Sequence, residues 1–184
     1  MKNILFIVGS LREKSFNRQL AKLAENMLTD RFKISYLEFS DVPLMNQDLE
    51  STVPPAVVRV RKEILAADGI WIFTPEYNFS YPGLLKNLLD WLSRPMDISD
   101  FTNPSAVVGK KVTVSGAGGK NQTASCRAKL NELLEFMKMQ VMTEPQAGIA
   151  LGIEAWTKGE FSLTDEQLAM LKEQVYMFAD MLEE

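Results

Sequence analysis

Segments with the pattern of β-strands alternate with segments of helical periodicity, and this alternation constrains the fold more than any other feature. The predicted strands lie at 4–8, 32–39, 70–73, 111–115 and within 139–151, and the predicted helices at 16–28, 55–66, 83–93, 122–138 and 164–184. Such alternation is typical of a parallel sheet, because each helix returns the chain to the edge where the next strand begins. We therefore predict a doubly wound α/β domain over residues 1–184, with five parallel strands in the order 2-1-3-4-5 and helices on both faces.

The chain contains one cysteine and no histidine, and this composition excludes several kinds of site. Without histidine there is no Ser-His-Asp or Cys-His catalysis and no histidine-ligated zinc. A single cysteine, Cys126, excludes an internal disulfide and fits a reducing compartment. Its position within a predicted helix indicates an inert side chain.

The net charge of −4 argues against a large basic surface for nucleic acid. The sequence has no signal-peptide pattern and no apolar run of membrane-spanning length. We expect a cytoplasmic protein that binds neither nucleic acid nor membranes.

The loop at 9–17 joins the first predicted strand to the first predicted helix and is rich in groups that bind anions. Backbone N–H groups at a helix N-terminus point at whatever lies in front of it. The loop adds hydroxyl, amide and guanidinium donors from Ser10, Ser15, Asn17 and Arg12. These groups predict a phosphate-binding loop. A simpler interpretation makes Ser15 the N-cap of the helix and Arg12 a solvated surface residue.

Two further loops, 74–81 and 115–121, follow predicted strands at the same edge of the sheet. In sheets of this order, ligands bind at the carboxyl ends of the strands, where the strand order reverses. The loop 74–81 offers an aromatic ring and backbone amides, and the glycines at 116–119 allow a flat ligand to approach the backbone. A phosphate at one end and a planar ring at the other are the outline of FMN. The G-x-G-x-x-G fingerprint is absent after the first strand, and the sequence has no P-loop motif G-x-x-x-x-G-K-[ST].

Two motifs in these loops resemble those of the NAD(P)H-dependent FMN reductase family, which includes quinone, azo-dye and chromate reductases with the flavodoxin-like fold. The first is Gly9-Ser10-Leu11-Arg12, followed by Ser15 and Asn17. The second is Pro75-Glu76-Tyr77-Asn78-x-Ser80-x-Pro82-Gly83-x-Leu85-Lys86-Asn87-x-x-Asp90-Trp91-x-Ser93-Arg94. The similarity extends over about residues 3–150.

The resemblance implies three groups of cofactor-binding residues. Those expected around the FMN phosphate are Ser10, Arg12, Ser15, Phe16 and Asn17. Those expected along the isoalloxazine ring are Pro75, Glu76, Tyr77 and Asn78, and those near its other flank are Ser115, Gly116 and Gly118. We expect Glu76 to have a structural role rather than to transfer protons.

The resemblance also implies an oxidoreductase with FMN as cofactor and NADPH or NADH as co-substrate. Its acceptors would be quinones, azo compounds, free flavin or oxidised metal species, reduced by ping-pong exchange. Because the flavin carries the chemistry, no catalytic side chain and no metal site are predicted. The sequence leaves the physiological acceptor and the preferred nicotinamide open.

Two other functions fit the same fold. A flavodoxin-type electron carrier would lack NAD(P)H activity of its own, and such carriers usually have a strongly acidic docking surface and aromatic residues on both flavin faces. This chain has a net charge of only −4 and one candidate ring, Tyr77. A flavin-free binding domain on the same scaffold is the third interpretation.

The third predicted helix carries an apolar stripe too wide for a helix with one solvent-exposed face. The stripe consists of Leu84, Leu85, Leu88, Leu89, Trp91 and Leu92. We therefore expect part of it to pack against a second subunit in a homodimer or homotetramer.

One position departs from the family pattern. The family usually has a glycine where the fourth helix turns into the last strand, and this chain has Met137-Lys138-Met139 there. The C-terminal cap of that helix must therefore form in another way.

Overall fold

Over residues 1–100 and 102–184, the computed structural model of the protein shows six strands and six α-helices. The strands are β1 (Asn3–Val8), β2 (Lys33–Tyr36), β3 (Gly69–Phe73), β4 (Lys111–Gly118), β5 (Gln140–Met142) and β6 (Gly148–Ala150). The helices are α1 (Phe16–Leu28), α2 (Pro55–Ala66), α3 (Gly83–Leu92), α4 (Ala124–Phe136), α5 (Ile153–Lys158) and α6 (Asp165–Glu183). A 3-10 helix spans Gln47–Thr52.

The strands form a parallel sheet in the order β2-β1-β3-β4-β5, which confirms the predicted flavodoxin-like topology. The core has two parts, one on each face of this sheet. Leu5 and Ile7 of β1 face the side covered by α2, α3 and α4. Ile4 and Phe6 face the other side, which α1 and α6 cover. Successive side chains of a strand point to opposite faces, so a strand that is buried on both faces must be apolar throughout.

The end of the sheet differs from the prediction of one final strand within 139–151. Two short strands replace it: β5 pairs with the first half of β4, and β6 pairs with Gly116–Gly118 in the second half. The intervening segment contains Pro145, which has no N–H to donate to a strand ladder. Pairing with β6 extends β4 through Gly118, where the sequence suggested a turn. The short helix α5 was not predicted.

The apolar stripe of α3 is buried within the chain and needs no second subunit. Five of its members are at most 2% exposed: Leu85, Leu88, Leu89, Trp91 and Leu92. The segment that follows β2 covers them, because Trp91 Nε1 donates to the Pro43 carbonyl at 2.8 Å and Met45 N–H donates to Asn87 Oδ1 at 2.7 Å. Burial of these five residues removes the reason for expecting them to pack against a partner, and the oligomeric state stays a prediction.

None of the helices within the described ranges is both long enough and apolar enough to cross a membrane.

The C-terminus of α4 forms a Schellman motif in which a lysine takes the place of the usual glycine. Lys138 has a left-handed backbone with φ of 62°. Its N–H donates to the Glu135 carbonyl at 2.8 Å, and Met139 N–H donates to the Leu134 carbonyl at 3.0 Å. These are the two hydrogen bonds of the motif. The family's glycine is thus replaced by a residue that pays a steric penalty in the same conformation.

Replacing Lys138 by glycine should therefore stabilise the protein. Because glycine adopts the left-handed conformation without a Cβ clash, we expect Lys138→Gly to raise the free energy of unfolding by about 1 kcal/mol. Urea denaturation measures the change. Lys172→Gly, at an exposed position inside α6, is the control and should lower the free energy of unfolding by about 1 kcal/mol. A loss of stability in Lys138→Gly would show that the lysine side chain contributes more than its backbone costs.

Candidate functional site

Three loops leave the carboxyl edge of the sheet next to one another. Backbone hydrogen bonds to the neighbouring segments hold the first residue of each loop in place. The loops begin after β1, β3 and within β4. Their first residues are joined by hydrogen bonds from Gly9 N–H to Phe73 O (2.8 Å), from Thr74 N–H to Ser115 O (2.9 Å) and from Gly116 N–H to Ala147 O (3.0 Å). The predicted convergence of the three loops is what the structure shows.

A cavity lies between these loops and brings together nine of the twelve predicted site residues. They are Ser10, Arg12, Ser15, Phe16 and Asn17 from the first loop, Pro75, Glu76 and Tyr77 from the second, and Gly118 from the third. Ala117, Gly119 and Trp156 complete the lining. The first loop thus brings a cation and hydroxyl groups to the cavity, and the other segments bring backbone groups and aromatic rings.

Ser15 has the N-cap role that the simpler interpretation gave it, and this role does not prevent it from binding an anion. Its side chain is buried and caps α1, because Ser15 Oγ accepts a hydrogen bond from Arg18 N–H at 3.2 Å. An oxygen that accepts in a cap still carries its own hydrogen, so the hydroxyl group can donate to an anion in the cavity. Capping and anion binding are compatible here.

Arg12 supplies a cation at the same end of the cavity. Its guanidinium lies over the ring of Phe16, 4.6 Å from the ring centroid. Within the part of the chain that the structure describes, no carboxylate forms an ion pair with Arg12. Its charge, together with the N-terminus of α1, gives this end of the cavity a positive potential.

Asn17 joins the first loop to the third. Its side chain is 2% exposed; Oδ1 accepts from Ala117 N–H at 2.8 Å, and Nδ2 donates to the Ala117 carbonyl at 3.1 Å. Both polar atoms of the amide thus bond to the backbone of one residue, Ala117, and one Nδ2 hydrogen is left for the cavity. The side chain has a structural task that the sequence did not reveal.

The second loop reverses direction in a tight turn at Tyr77–Ser80. Tyr77 and Ser80 exchange backbone hydrogen bonds of 2.9 and 3.0 Å. The two central residues, Asn78 and Phe79, have φ of 51° and 58°. This places Asn78 at the exposed tip of the turn, outside the cavity lining, whereas Tyr77 lines the cavity and is 55% exposed.

Ser115 and Gly116 lie beneath the cavity rather than in its wall, because β4 continues through both of them. Ser115 is fully buried; its Oγ accepts from Trp71 Nε1 at 2.9 Å and donates to Gln174 Oε1 at 2.7 Å. A Cβ at Gly116 would lie 2.6 Å from the Thr74 carbonyl oxygen and 2.1 Å from Thr123 Oγ1. The glycine is required for close packing of two loops rather than for contact with a ligand.

Sequence reasoning missed Trp156, which reaches the cavity from α5. Its ring makes an edge-to-face contact with Phe16, with ring centroids 5.2 Å apart. Gln19 Nε2 holds the end of α5 against α1 by donating to the Gly159 carbonyl at 2.8 Å. The signal in the sequence is weak: one large aromatic residue in an otherwise polar segment after the last strand.

A larger hollow, of about 460 Å³, lies between α1 and residues 159–161. Three of its polar side chains have partners in the protein, and the carboxylates of Glu13 and Glu160 also line it, where they would repel an anion. Arg18 pairs with Glu38, Lys22 pairs with Glu25, and Gln19 bonds to the chain at Gly159. The smaller cavity at the sheet edge, with its uncommitted cation, is the better candidate for an anionic ligand.

The fold defines a class: a flavodoxin-like α/β protein, in which the loop after the first strand carries Arg12 and leads into the N-terminus of α1. The sequence profile of a family described as NADPH-dependent FMN reductase matches residues 2–153. The chain belongs to this family, which confirms the resemblance found in the two motifs.

Several known proteins are similar to this chain over most of its length. A 2-hydroxy-1,4-benzoquinone reductase from a Burkholderia species is 36% identical over 144 residues, covering 78% of this chain and 75% of that protein. An NAD(P)H-dependent FMN reductase from Pseudomonas aeruginosa is 32% identical over 173 residues, covering 94% and 90%. The structure of FerB, a flavoenzyme NAD(P)H:(acceptor) oxidoreductase from Paracoccus denitrificans, has a TM-score of 0.85 at 34% identity, covering 100% of this chain and 98% of that one.

Cys126 lies directly behind the second loop and should be unreactive in the folded protein. It is fully buried, and desolvation raises the pKa of its thiol to about 11. At about pH 8 almost no reactive thiolate is then present. We expect a thiol-disulfide reagent such as dithiobis(nitrobenzoate) to leave the native protein unmodified and to titrate one thiol after denaturation. Rapid reaction of the native protein would show that α4 or the second loop opens readily.

Proposed function

We propose that the protein is an FMN-containing oxidoreductase that takes electrons from NADPH or NADH and passes them to a quinone-type small molecule. The observation that carries this proposal is the cavity at the sheet edge, which places a free arginine and a helix N-terminus at one end and backbone groups at the other. Membership of the FMN reductase family and the names of the similar proteins support the same activity.

The phosphate of FMN fits the cationic end. Arg12 would pair with its charge, and Ser10 and Ser15 would donate hydroxyl hydrogens. The first turn of α1 adds N–H groups that the helix itself does not use. Arg12 forms no ion pair within the described part of the chain, so its full positive charge is available to the phosphate.

The planar ring fits the other end, between residues 75–77 and 117–119. Gly118 and Gly119 present backbone rather than side chains, so a flat group can lie close to the peptide planes. Bound FMN would supply the two-electron chemistry that links a nicotinamide to an acceptor. Tyr77 and Trp156 line the cavity and are 55% and 54% exposed, so its mouth is open to small molecules.

Steady-state kinetics test the activity. We expect the FMN-loaded protein to oxidise NADPH or NADH with a benzoquinone, with the parallel double-reciprocal lines of ping-pong exchange. Comparing the two nicotinamides under the same conditions determines the preferred one. A protein that binds FMN but shows no turnover would be a flavodoxin-type carrier, and one that stays colourless with FMN would be a flavin-free domain.

Removing the cation at the phosphate end should weaken FMN binding. A charge-assisted hydrogen bond contributes about 1.5–3 kcal/mol, so Arg12→Ala should raise the FMN dissociation constant about 10- to 100-fold. Titration of the apoprotein followed by flavin fluorescence measures the constant. Lys14→Ala is the matched control, because Lys14 is exposed in the same loop and does not line the cavity. Equal constants for wild type and Arg12→Ala would exclude Arg12 from the phosphate site.

We further propose a cytoplasmic protein that is a homodimer or a homotetramer. The single, reduced Cys126 supports a reducing compartment. The oligomeric state is a prediction from the family resemblance alone, since the α3 stripe that suggested it is buried within the chain. Light scattering, compared with the 20.8 kDa chain mass, distinguishes monomer, dimer and tetramer.

A further inference from the structure

Glu76 belongs to the motif of the second loop, and its carboxylate does not point freely into the cavity. Oε2 accepts a hydrogen bond from Cys126 N–H at 2.8 Å, and Oε1 accepts one from Asn121 Nδ2 at 2.8 Å. Cys126 lies in the first turn of α4 and Asn121 in the turn that precedes this helix, both more than forty residues along the chain. The carboxylate therefore joins two of the three loops that form the cavity.

The N-terminus of α4 has no cap from its own residues. Thr123, at the N-cap position, has a left-handed backbone with φ of 57° and makes no side-chain cap bond. Cys126 is the third residue of the helix, and its N–H is one that an N-cap side chain normally binds. Glu76 makes this bond instead, and its negative charge also complements the positive end of the helix dipole.

The two loops that Glu76 joins both line the part of the cavity proposed for the flavin ring. Pro75 and Tyr77, its neighbours, belong to one loop, and Gly118 and Gly119, which precede Asn121, belong to the other. The backbones of the two loops already pack closely at Gly116. The two Glu76 hydrogen bonds add a second connection between these loops and so fix the distance between them.

We propose that Glu76 is a positioning residue, which caps α4 from the second loop and thereby sets the width of the slot for the flavin ring. This inference rests on the proposed function. It assigns Glu76 no proton transfer, because both carboxylate oxygens are held by fixed donors. Asn121 shares the role, since its Nδ2 also donates to Ser125 Oγ at 3.1 Å and is thus oriented toward Glu76.

The proposal predicts different results for removal and for conservative replacement of the carboxylate. Glu76→Ala loses both bonds and should raise the FMN dissociation constant about tenfold. Glu76→Gln keeps an acceptor for Cys126 N–H, and the Asn121 amide can turn over to accept from the new amide. We therefore expect Glu76→Gln to bind FMN within about threefold of wild type and to keep its turnover.

Three readouts separate positioning from other roles. The visible circular dichroism of bound FMN should change in Glu76→Ala and return in Glu76→Gln. Competition by inorganic phosphate should be unchanged in both variants, since the phosphate loop is elsewhere. Glu132→Ala removes an exposed carboxylate of α4 itself and should resemble wild type throughout. Asn121→Ala should weaken FMN binding, and should have no further effect when Glu76 is already alanine.

Several results would overturn the proposal. An unchanged FMN dissociation constant in Glu76→Ala would show that the carboxylate does not shape the slot. A Glu76→Gln protein that binds FMN normally but loses turnover would assign proton transfer to Glu76. If Glu76→Ala does not fold, the FMN dissociation constants of Asn121→Ala and Glu76→Gln still test the proposal. Failure of the wild-type protein to bind FMN would instead remove the proposed function.

Discussion

The backbone ladder at the carboxyl edge of the sheet is the constraint on which the candidate site depends. The N–H groups of Gly9 and Thr74 continue the pairing one residue past β1 and β3, and that of Gly116, within β4, bonds to Ala147 just before β6. Three loops that are distant in sequence therefore leave the sheet side by side and at fixed spacing. Their starting points are set by hydrogen bonds between peptide groups rather than by loop side chains.

Side chains then join the loops to one another. Asn17 bonds to the backbone N–H and C=O of Ala117 with both polar atoms of its amide, and Glu76 bonds to the start of α4 and the turn before it. Beneath them, the fully buried Gln174 links α6 to β4 and to the segment before β6, donating to Thr113 Oγ1 and accepting from Ala147 N–H. A cofactor cavity built in this way is formed before a ligand arrives, which lowers the entropic cost of binding.

The sequence predicted some elements well and others badly for identifiable reasons. The apolar pattern of β3 and the periodicity of α1 gave their bounds within one residue, because burial of these elements depends on local pattern. The apolar stripe on α3 led to the expectation of a partner subunit, because the segment that covers it within the chain is a loop without a periodic apolar pattern. Ser115 was expected near the flavin, but it lies within β4, where its hydroxyl donates to the same Gln174 side chain that bonds to Thr113 in the core.

The sequence alone determined the topology and the family, because these follow from strand–helix alternation and from short motifs. It also indicated that Glu76 has a structural role. Only the tertiary structure decided what Glu76 and Asn17 hold, that Trp156 enters the cavity, and that Lys138 replaces a glycine in a left-handed cap. These are contacts between residues far apart in the chain, or backbone angles that local residue preferences do not specify.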